Sequence, residues 1–151
     1  MPEARDPAGP PGEAASGRVL ALDLGQSRIG VAISDPERRV AVPIGTIRTG
    51  APADVKAIAA IVREQQVTEI VVGHPLSLSG RKGEAADHAE KFAEALRDFL
   101  GVSVALQDER LTTVQAERQL GQAGLRGRAR REVVDQAAAT IILQAYLDAS
   151  S

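Results

Sequence analysis

The sequence predicts one α/β domain built on a mixed five-stranded sheet flanked by helices. Three consecutive short apolar runs come first, and two further runs then alternate with segments of helical periodicity. This order is typical of an antiparallel meander that parallel strands extend through right-handed crossovers. The length of 151 residues with 44% hydrophobic residues fits a single domain with its own core.

The strands are predicted from apolar, β-compatible runs. RVLALDLG and IGVAISD, joined by a short QSR connection, suggest a hairpin. VAVPIGTIR is a weaker third strand, because Pro43 has no N–H to donate and is typical of an edge. EIVVG (69–73) has the continuous apolar character of a strand buried on both faces, and VSVAL (102–106) is the fifth strand.

The helices are predicted from apolar residues at helical spacing. One helix covers Ala53 to Gln65, and a second begins at Glu84 and ends at Gly101, a residue typical of helix C-termini. Thr112 and Gln115 have the spacing of a capping box, which predicts a third helix. A Gly- and Arg-rich loop, GQAGLRGRARRE, precedes the last helix, expected from about Glu132 to Asp148.

Composition excludes several classes of protein. The chain has no cysteine, so a disulfide framework, a thiol nucleophile and a Cys-ligated metal are excluded. Aromatic residues are 2% of the chain, too few for a base-stacking platform. The net charge is −2, so nucleic acid would have to meet a local basic patch.

Residues 1–16 are rich in Pro, Gly, Ala and acidic residues, and we expect a disordered tail that leaves 17–151 as the single domain. The tail lacks the apolar core of a secretory signal, and no stretch is apolar enough to span a membrane. Together with the absence of cysteine, these features favour a cytoplasmic protein without membrane contact.

Three carboxylates lie in unusual places. Asp23 interrupts an apolar strand, Glu109 or its neighbour Asp108 ends another strand predicted to be central, and Asp135 lies in the first turn of the last helix. Each has a simpler interpretation. Asp23 could be bonded to the amides of the next turn, and Asp108 and Glu109 could be loop residues. Asp135 could simply be an acid that favours a helix N-terminus. The carboxyl edge of an α/β sheet could nevertheless bring all three together.

Three converging carboxylates would repel one another unless divalent cations neutralised them. Hard oxygen ligands without Cys or His favour Mg²⁺ or Mn²⁺, and two such ions suit in-line hydrolysis of a phosphodiester. A second interpretation rests on DLGQSRIG, which resembles the phosphate-binding hairpin of actin-like ATPases and sugar kinases. Those proteins close a second domain over the nucleotide, and this chain has no room for one.

Four motifs in order resemble the YqgF family of RuvX-like proteins: ALDLGQSRIGVAISD, VVGHPLSLSG, DERLTT and VVDQAAATIILQAYL, together spanning residues 18–149. Members are described as Holliday-junction resolvases and, more often, as pre-16S rRNA nucleases. The resemblance implies an RNase H-like fold with strand order 3-2-1-4-5. It also implies a two-metal-ion phosphodiesterase whose catalytic and metal-binding residues correspond to Asp23, Glu109 and Asp135.

Departures from the family pattern fall in the loops around these motifs. His74 stands where the family usually has an apolar residue, Gln26 follows Gly25 in place of the common Thr, and Ser79-Gly80 replaces a frequent D-G or N-G. His74 could act as a general base or steer the substrate. The favoured alternative is a surface histidine that fills a leucine position beside Pro75.

Basic residues near these motifs are candidates for phosphate contact. The run LRGRARRE, which precedes Asp135, would form a flexible arginine loop, unless it is only a solvated segment. The predicted nucleic-acid contacts are Arg28, Arg81, Lys82, Arg110, Arg126, Arg128, Arg130 and Arg131. Contact would be mainly to backbone phosphates, so we expect strong salt dependence.

The leading hypothesis from the sequence is a metal-dependent nuclease that acts in 5′-end maturation of pre-16S rRNA. A Holliday junction resolvase, which would act on branched DNA as a homodimer, is the alternative with the same site. A non-catalytic nucleic-acid-binding or transcription-associated module is the alternative from another class. We expect structured RNA as the partner ahead of branched DNA.

Overall fold

The computed structural model describes residues 16–76, 82–109 and 127–150, with side chains from Val134 onward in the last segment. Five strands and three helices lie in these ranges. They are β1 (Arg18–Leu24), β2 (Arg28–Ser34), β3 (Ala41–Arg48), α1 (Ala53–Glu64), β4 (Val67–His74), α2 (Glu84–Leu100), β5 (Ser103–Asp108) and α3 (Gly127–Ser150). Residues 1–15 of the predicted tail 1–16 and the helix expected after Thr112 lie outside the described residues.

The sheet is mixed, with strand order β3-β2-β1-β4-β5. β1, β2 and β3 form an antiparallel meander, whereas β4 and β5 extend it in parallel with β1 through helical crossovers. This confirms the predicted fold class and the predicted strand order. β5 is an edge strand, so the expectation that Glu109 follows a central strand is wrong.

Each face of the sheet packs against its own helices. Alternate residues of β1 divide between the faces: Leu20 and Leu22 pack with α1 and α2, while Val19 and Ala21 pack with α3. The α3 face is lined by small side chains, including Ala32 on β2 and Ala139 on the helix, all of them buried. Small residues on both surfaces allow α3 to lie close to the central strands.

The edge strand β3 contains a bulge that the sequence partly predicts. Val31 pairs with Gly45 and Ala32 pairs with Pro43, so Ile44 is the extra residue between them. Pro43 therefore lies on an edge strand, as predicted. Gly101 likewise ends α2 in the left-handed conformation, with φ 69°, as predicted from its position.

The last helix begins earlier than its sequence predicts. It starts at Gly127, so the backbone of Arg128, Arg130 and Arg131 is helical, and the expected flexible loop there is wrong. Asp135 consequently lies about two turns inside α3 and not in its first turn. The interaction of an acid with a helix N-terminus fades within the first turn, so that simpler explanation for Asp135 does not hold.

Candidate active site

The candidate site lies on the α3 face at the carboxyl ends of β1 and β4. Asp23 is the penultimate residue of β1 and pairs in register with Gly30 of the antiparallel strand β2. Strand alternation places Asp23 on the same face as Val19 and Ala21, which contact α3. The sheet therefore directs this carboxylate toward the helix that carries Asp135.

Glu109 reaches the same place from the neighbouring edge strand. Its main-chain N–H donates to the carbonyl of His74 at 3.2 Å, so it continues the β4–β5 ladder one residue beyond β5. Its side chain lies over Gly73 of β4. A Cβ added at that glycine would be 2.5 Å from Oε2 of Glu109 and 2.8 Å from Cδ1 of Ile142 on α3. Gly73 therefore provides the space in which Glu109 lies.

Asp23 and Glu109 are hydrogen-bonded to each other through their carboxyl groups. Burial raises the pKa of both side chains, that of Asp23 to about 6 and that of Glu109 to about 8. The nearby charge of Asp135 raises the pKa of Asp23 further, and Asp108 does the same for Glu109. Burial therefore favours the protonated form of this pair where no cation compensates its charge.

Asp135 lies close enough to act electrostatically on Asp23, and it forms an ion pair with an arginine. Nε of Arg28 donates to Oδ2 of Asp135 at 2.9 Å, and both side chains are about one-fifth exposed. Among the residues whose positions are described, no three His, Asp or Glu side chains already stand together as a cation site. The structure thus brings Asp23 and Glu109 into contact and places Asp135 beside them in an ion pair.

The donor chemistry of the pair fits a hard divalent cation. Carboxylate oxygens are the ligands that Mg²⁺ and Mn²⁺ prefer, and a cation bound by both acids would neutralise them in place of a proton. Oδ2 of Asp135 would become available as a third oxygen ligand if Arg28 released it. Asp108, the alternative to Glu109, is exposed at the end of β5.

His74 lies on the other face of the sheet. Its Nε2 is 2.8 Å from Oε2 of Glu90 on α2, and Lys82 donates to the second oxygen of the same carboxylate at 3.1 Å. These two contacts lower the pKa of Glu90. His74 is thus a largely buried partner of α2, neither a residue directed at the carboxylates nor a plain surface histidine.

The hairpin between β1 and β2 is closed by its own main chain. The N–H of Gly25 donates to the carbonyl of Arg28 at 2.9 Å. Thr49, which follows β3, donates from Oγ1 to the carbonyl of Gly25 and from its main-chain N–H to the carbonyl of Ser27. A glycine is required at position 25, because a Cβ would lie 2.6 Å from the Arg28 carbonyl oxygen. The N–H of Gly25 therefore already has an acceptor within the hairpin, which disfavours the interpretation of DLGQSRIG as a phosphate-binding hairpin.

The predicted basic contacts are only partly described. Arg28 pairs with Asp135, and Lys82 pairs with Glu90 on α2. Arg81, Arg110 and Arg126 lie outside the described residues, and only the backbone is described for the three arginines of α3. Sequence reasoning did not identify Gly30 and Gly73, whose lack of a side chain admits Asp135 and Glu109; glycines inside strands were the available signal.

Comparison with known structures agrees with the architecture. The fold is RNase H-like: the Thermus thermophilus RuvC structure in complex with a Holliday junction substrate aligns with a TM-score of 0.50 and 16% identity. The match covers 88% of this chain and 94% of that one. A second Thermus thermophilus RuvC structure covers 87% of this chain and 95% of its own, with a TM-score of 0.49 and 15% identity. At 16% identity the likeness to the first of these structures establishes the fold alone.

The chain belongs to the RuvX family, whose model is described as "Holliday junction resolvase" and matches residues 17–149. A relative from Thermobifida fusca, named "Putative pre-16S rRNA nuclease", is 52% identical over 143 residues, or 88% of each chain. A relative of the same name from Nocardia farcinica is 47% identical over 157 residues, covering 99% of this chain and 86% of its own. The resemblance found in the sequence is confirmed.

Proposed function

We propose that this protein is a metal-dependent nuclease that hydrolyses phosphodiester bonds in the 5′-end maturation of pre-16S rRNA. The hydrogen-bonded pair Asp23–Glu109 supports the proposal most directly, because two buried carboxyl groups in contact are costly without a compensating cation. The names of relatives at 47–52% identity support the rRNA substrate. This role would place the protein in the cytoplasm.

Asp23, Glu109 and Asp135 are the residues that would hold Mg²⁺ or Mn²⁺, in the two-ion arrangement expected from the sequence. Bound there, such ions would acidify water for in-line attack and neutralise the leaving oxygen. The protein positions Asp23 by strand pairing, Glu109 through the space over Gly73, and Asp135 through α3. Cation binding would also compete with protonation of Asp23 and Glu109.

Within the described parts of the chain, no helix is both long and apolar enough to cross a membrane. We place the substrate contact on the basic residues around the carboxylates, with 17–151 as one nuclease domain behind a tail. Phosphate recognition by arginine would be mainly independent of sequence.

The experiment compares cleavage by wild type and Asp23→Asn in Mn²⁺, Mg²⁺ and EDTA, on a precursor-like rRNA 5′ end and a four-way DNA junction. Asp98→Asn is the matched control, because Asp98 is an exposed acid on α2. We expect metal-dependent RNA cleavage that Asp23→Asn abolishes and Asp98→Asn retains. Equal cleavage by Asp23→Asn and wild type would contradict the site.

Resolution of Holliday junctions is a second candidate, favoured by the description of the family model. It predicts paired symmetric cuts in the junction and a dimer in solution, since each strand needs its own site. Binding of both substrates without cleavage of either would instead favour a non-catalytic nucleic-acid-binding module.

A further inference from the structure

The ion pair between Arg28 and Asp135 joins residues that are 107 positions apart in the chain. Nε of Arg28 lies 2.9 Å from Oδ2 of Asp135, and the two side chains are 20% and 22% exposed. Such a half-buried, charge-assisted contact is stronger than a surface pair. Asp135 is therefore held by a cation that the chain itself supplies.

The pair lies beside the other two carboxylates. Positions 28 and 30 of β2 lie on the α3 face of the sheet, and Gly30 is the register partner of Asp23. Asp135 is close enough to Asp23 for its charge to be felt there. One carboxylate thus has two candidate cations: the guanidinium of Arg28 and the metal ion of the proposed function.

We propose that Arg28 is a substrate-operated switch for Asp135: it neutralises Asp135 in the free protein and moves to a substrate phosphate when nucleic acid binds. Asp135 then joins Asp23 and Glu109 as the third oxygen ligand. This inference rests on the proposed function and adds to it a reason why the cation site is completed only on the substrate.

The chemistry of arginine permits this exchange. A guanidinium binds phosphate and carboxylate oxygens with the same planar donor geometry, so a phosphodiester competes directly with Asp135. Asp135 lies near Asp23 but is paired with Arg28, in agreement with a site that this ion pair keeps incomplete. The exchange requires cation and nucleic acid to strengthen each other's binding by the same factor.

Two other described basic residues near the site differ from Arg28 in their contacts. Lys82 binds Glu90 on the α2 side. Arg48 is the register partner of Arg28 on β3 and is exposed. Arg48→Gln therefore removes the same charge from the adjacent strand and serves as the matched control.

The experiment measures Mn²⁺ affinity by titration calorimetry with and without an RNA hairpin whose linkages are phosphorothioates, for wild type, Arg28→Gln and Arg48→Gln. We expect Arg28→Gln to bind Mn²⁺ about 5- to 10-fold more tightly than wild type without RNA. The factor by which the hairpin increases Mn²⁺ affinity should be smaller in Arg28→Gln than in wild type by the same margin, about 5- to 10-fold. Arg48→Gln should match wild type in Mn²⁺ affinity with and without the hairpin.

Mn²⁺ affinity of Arg28→Gln that equals or falls below wild type without RNA would overturn the switch, because Arg28 would then only position Asp135. Absence of Mn²⁺ binding by wild type, with or without the hairpin, would overturn the proposed function as well. If Arg28→Gln does not fold, Arg28→Lys decides the question, since its weaker grip on Asp135 predicts an intermediate gain in affinity.

Discussion

The main-chain carbonyl of Asp135 packs directly on Gly30, so closely that no side chain could be placed at that position. Gly30 is also the register partner of Asp23. One glycine on β2 therefore fixes the separation between a strand carboxylate and a helix carboxylate. The site depends on this close approach of helix and sheet as much as on its acidic residues.

Gly30→Ala should destabilise the fold and displace Asp135, because the added Cβ meets the backbone of α3, which cannot rotate away. We expect the free energy of unfolding to fall by about 1–3 kcal/mol, measured by urea denaturation. Gly83→Ser is the control, since a Cβ there meets no atom within 4 Å and serine caps a helix as well as glycine does. Equal stability of the two variants would contradict the close packing.

Gly73→Ala should affect activity more than stability. The new Cβ would press on Oε2 of Glu109 and Cδ1 of Ile142, both ends of side chains that can move. Displacement of a catalytic carboxylate by about 1 Å can cost about 100-fold in rate, whereas overpacking here should cost about 1 kcal/mol. Steady-state cleavage kinetics and urea denaturation would separate the effects, and an unchanged kcat would contradict the role of Glu109.

The stability of the metal-free protein should fall as pH rises. Burial raises the pKa of Glu109 to about 8 from 4.5, so folding favours its neutral form. That contribution is complete below about pH 4.5 and is lost as pH rises through about 8. Between pH 5 and pH 9, the Tm measured by thermal denaturation should therefore fall more for wild type than for Glu109→Gln, whose side chain does not titrate. Parallel curves for the two proteins would refute this assignment.

His74→Leu should leave cleavage unchanged. His74 bonds Glu90 of α2 and lies on the face opposite Asp23, so it cannot reach the reacting groups without a change of fold. The lost hydrogen bond should cost about 1 kcal/mol of stability. A tenfold fall in kcat for His74→Leu at unchanged stability would restore a catalytic role for this histidine.

Nucleic-acid binding should depend strongly on salt through the arginines at the start of α3. With three or four phosphate contacts, Kd should rise roughly 40- to 150-fold between 50 and 200 mM salt. Replacing Arg128, Arg130 and Arg131 together by Gln should reduce the slope of log Kd against log salt. Fluorescence anisotropy with a labelled RNA hairpin measures both, and an unchanged slope would remove these arginines from the interface.

Local patterns predicted the architecture because each element carries its own periodicity. The apolar runs of β1 and β4 and the stripe of α2 indicated their structure directly, and an acid inside an apolar strand drew attention to Asp23. The start of α3 was missed because its glycine and clustered arginines resemble a loop. Glu109 was placed after a central strand because an edge strand covered by a helix is nearly as apolar as a central one.

The contacts between distant residues had no local signal. Nothing near Arg28 indicates that it binds Asp135, and its charge suggested a phosphate contact instead. The partner of His74 lies on α2, one helix further along the chain. Gly30 and Gly73 matter only because α3 and Glu109 are packed over them, which is a property of the assembled sheet.

The attachment of α3 also has a consequence for the order of events during synthesis. Asp23 is synthesised early, whereas Asp135 lies on the last helix, α3. The C-terminal part of α3 is attached to the sheet by hydrogen bonds between Gln144 and Ala41 and between Tyr146 and Glu69. A growing chain that has not yet produced these residues holds two carboxylates and an uncovered sheet face. Under the proposed function, the nascent polypeptide would therefore stay inactive near ribosomal RNA until its last helix has been translated and docked.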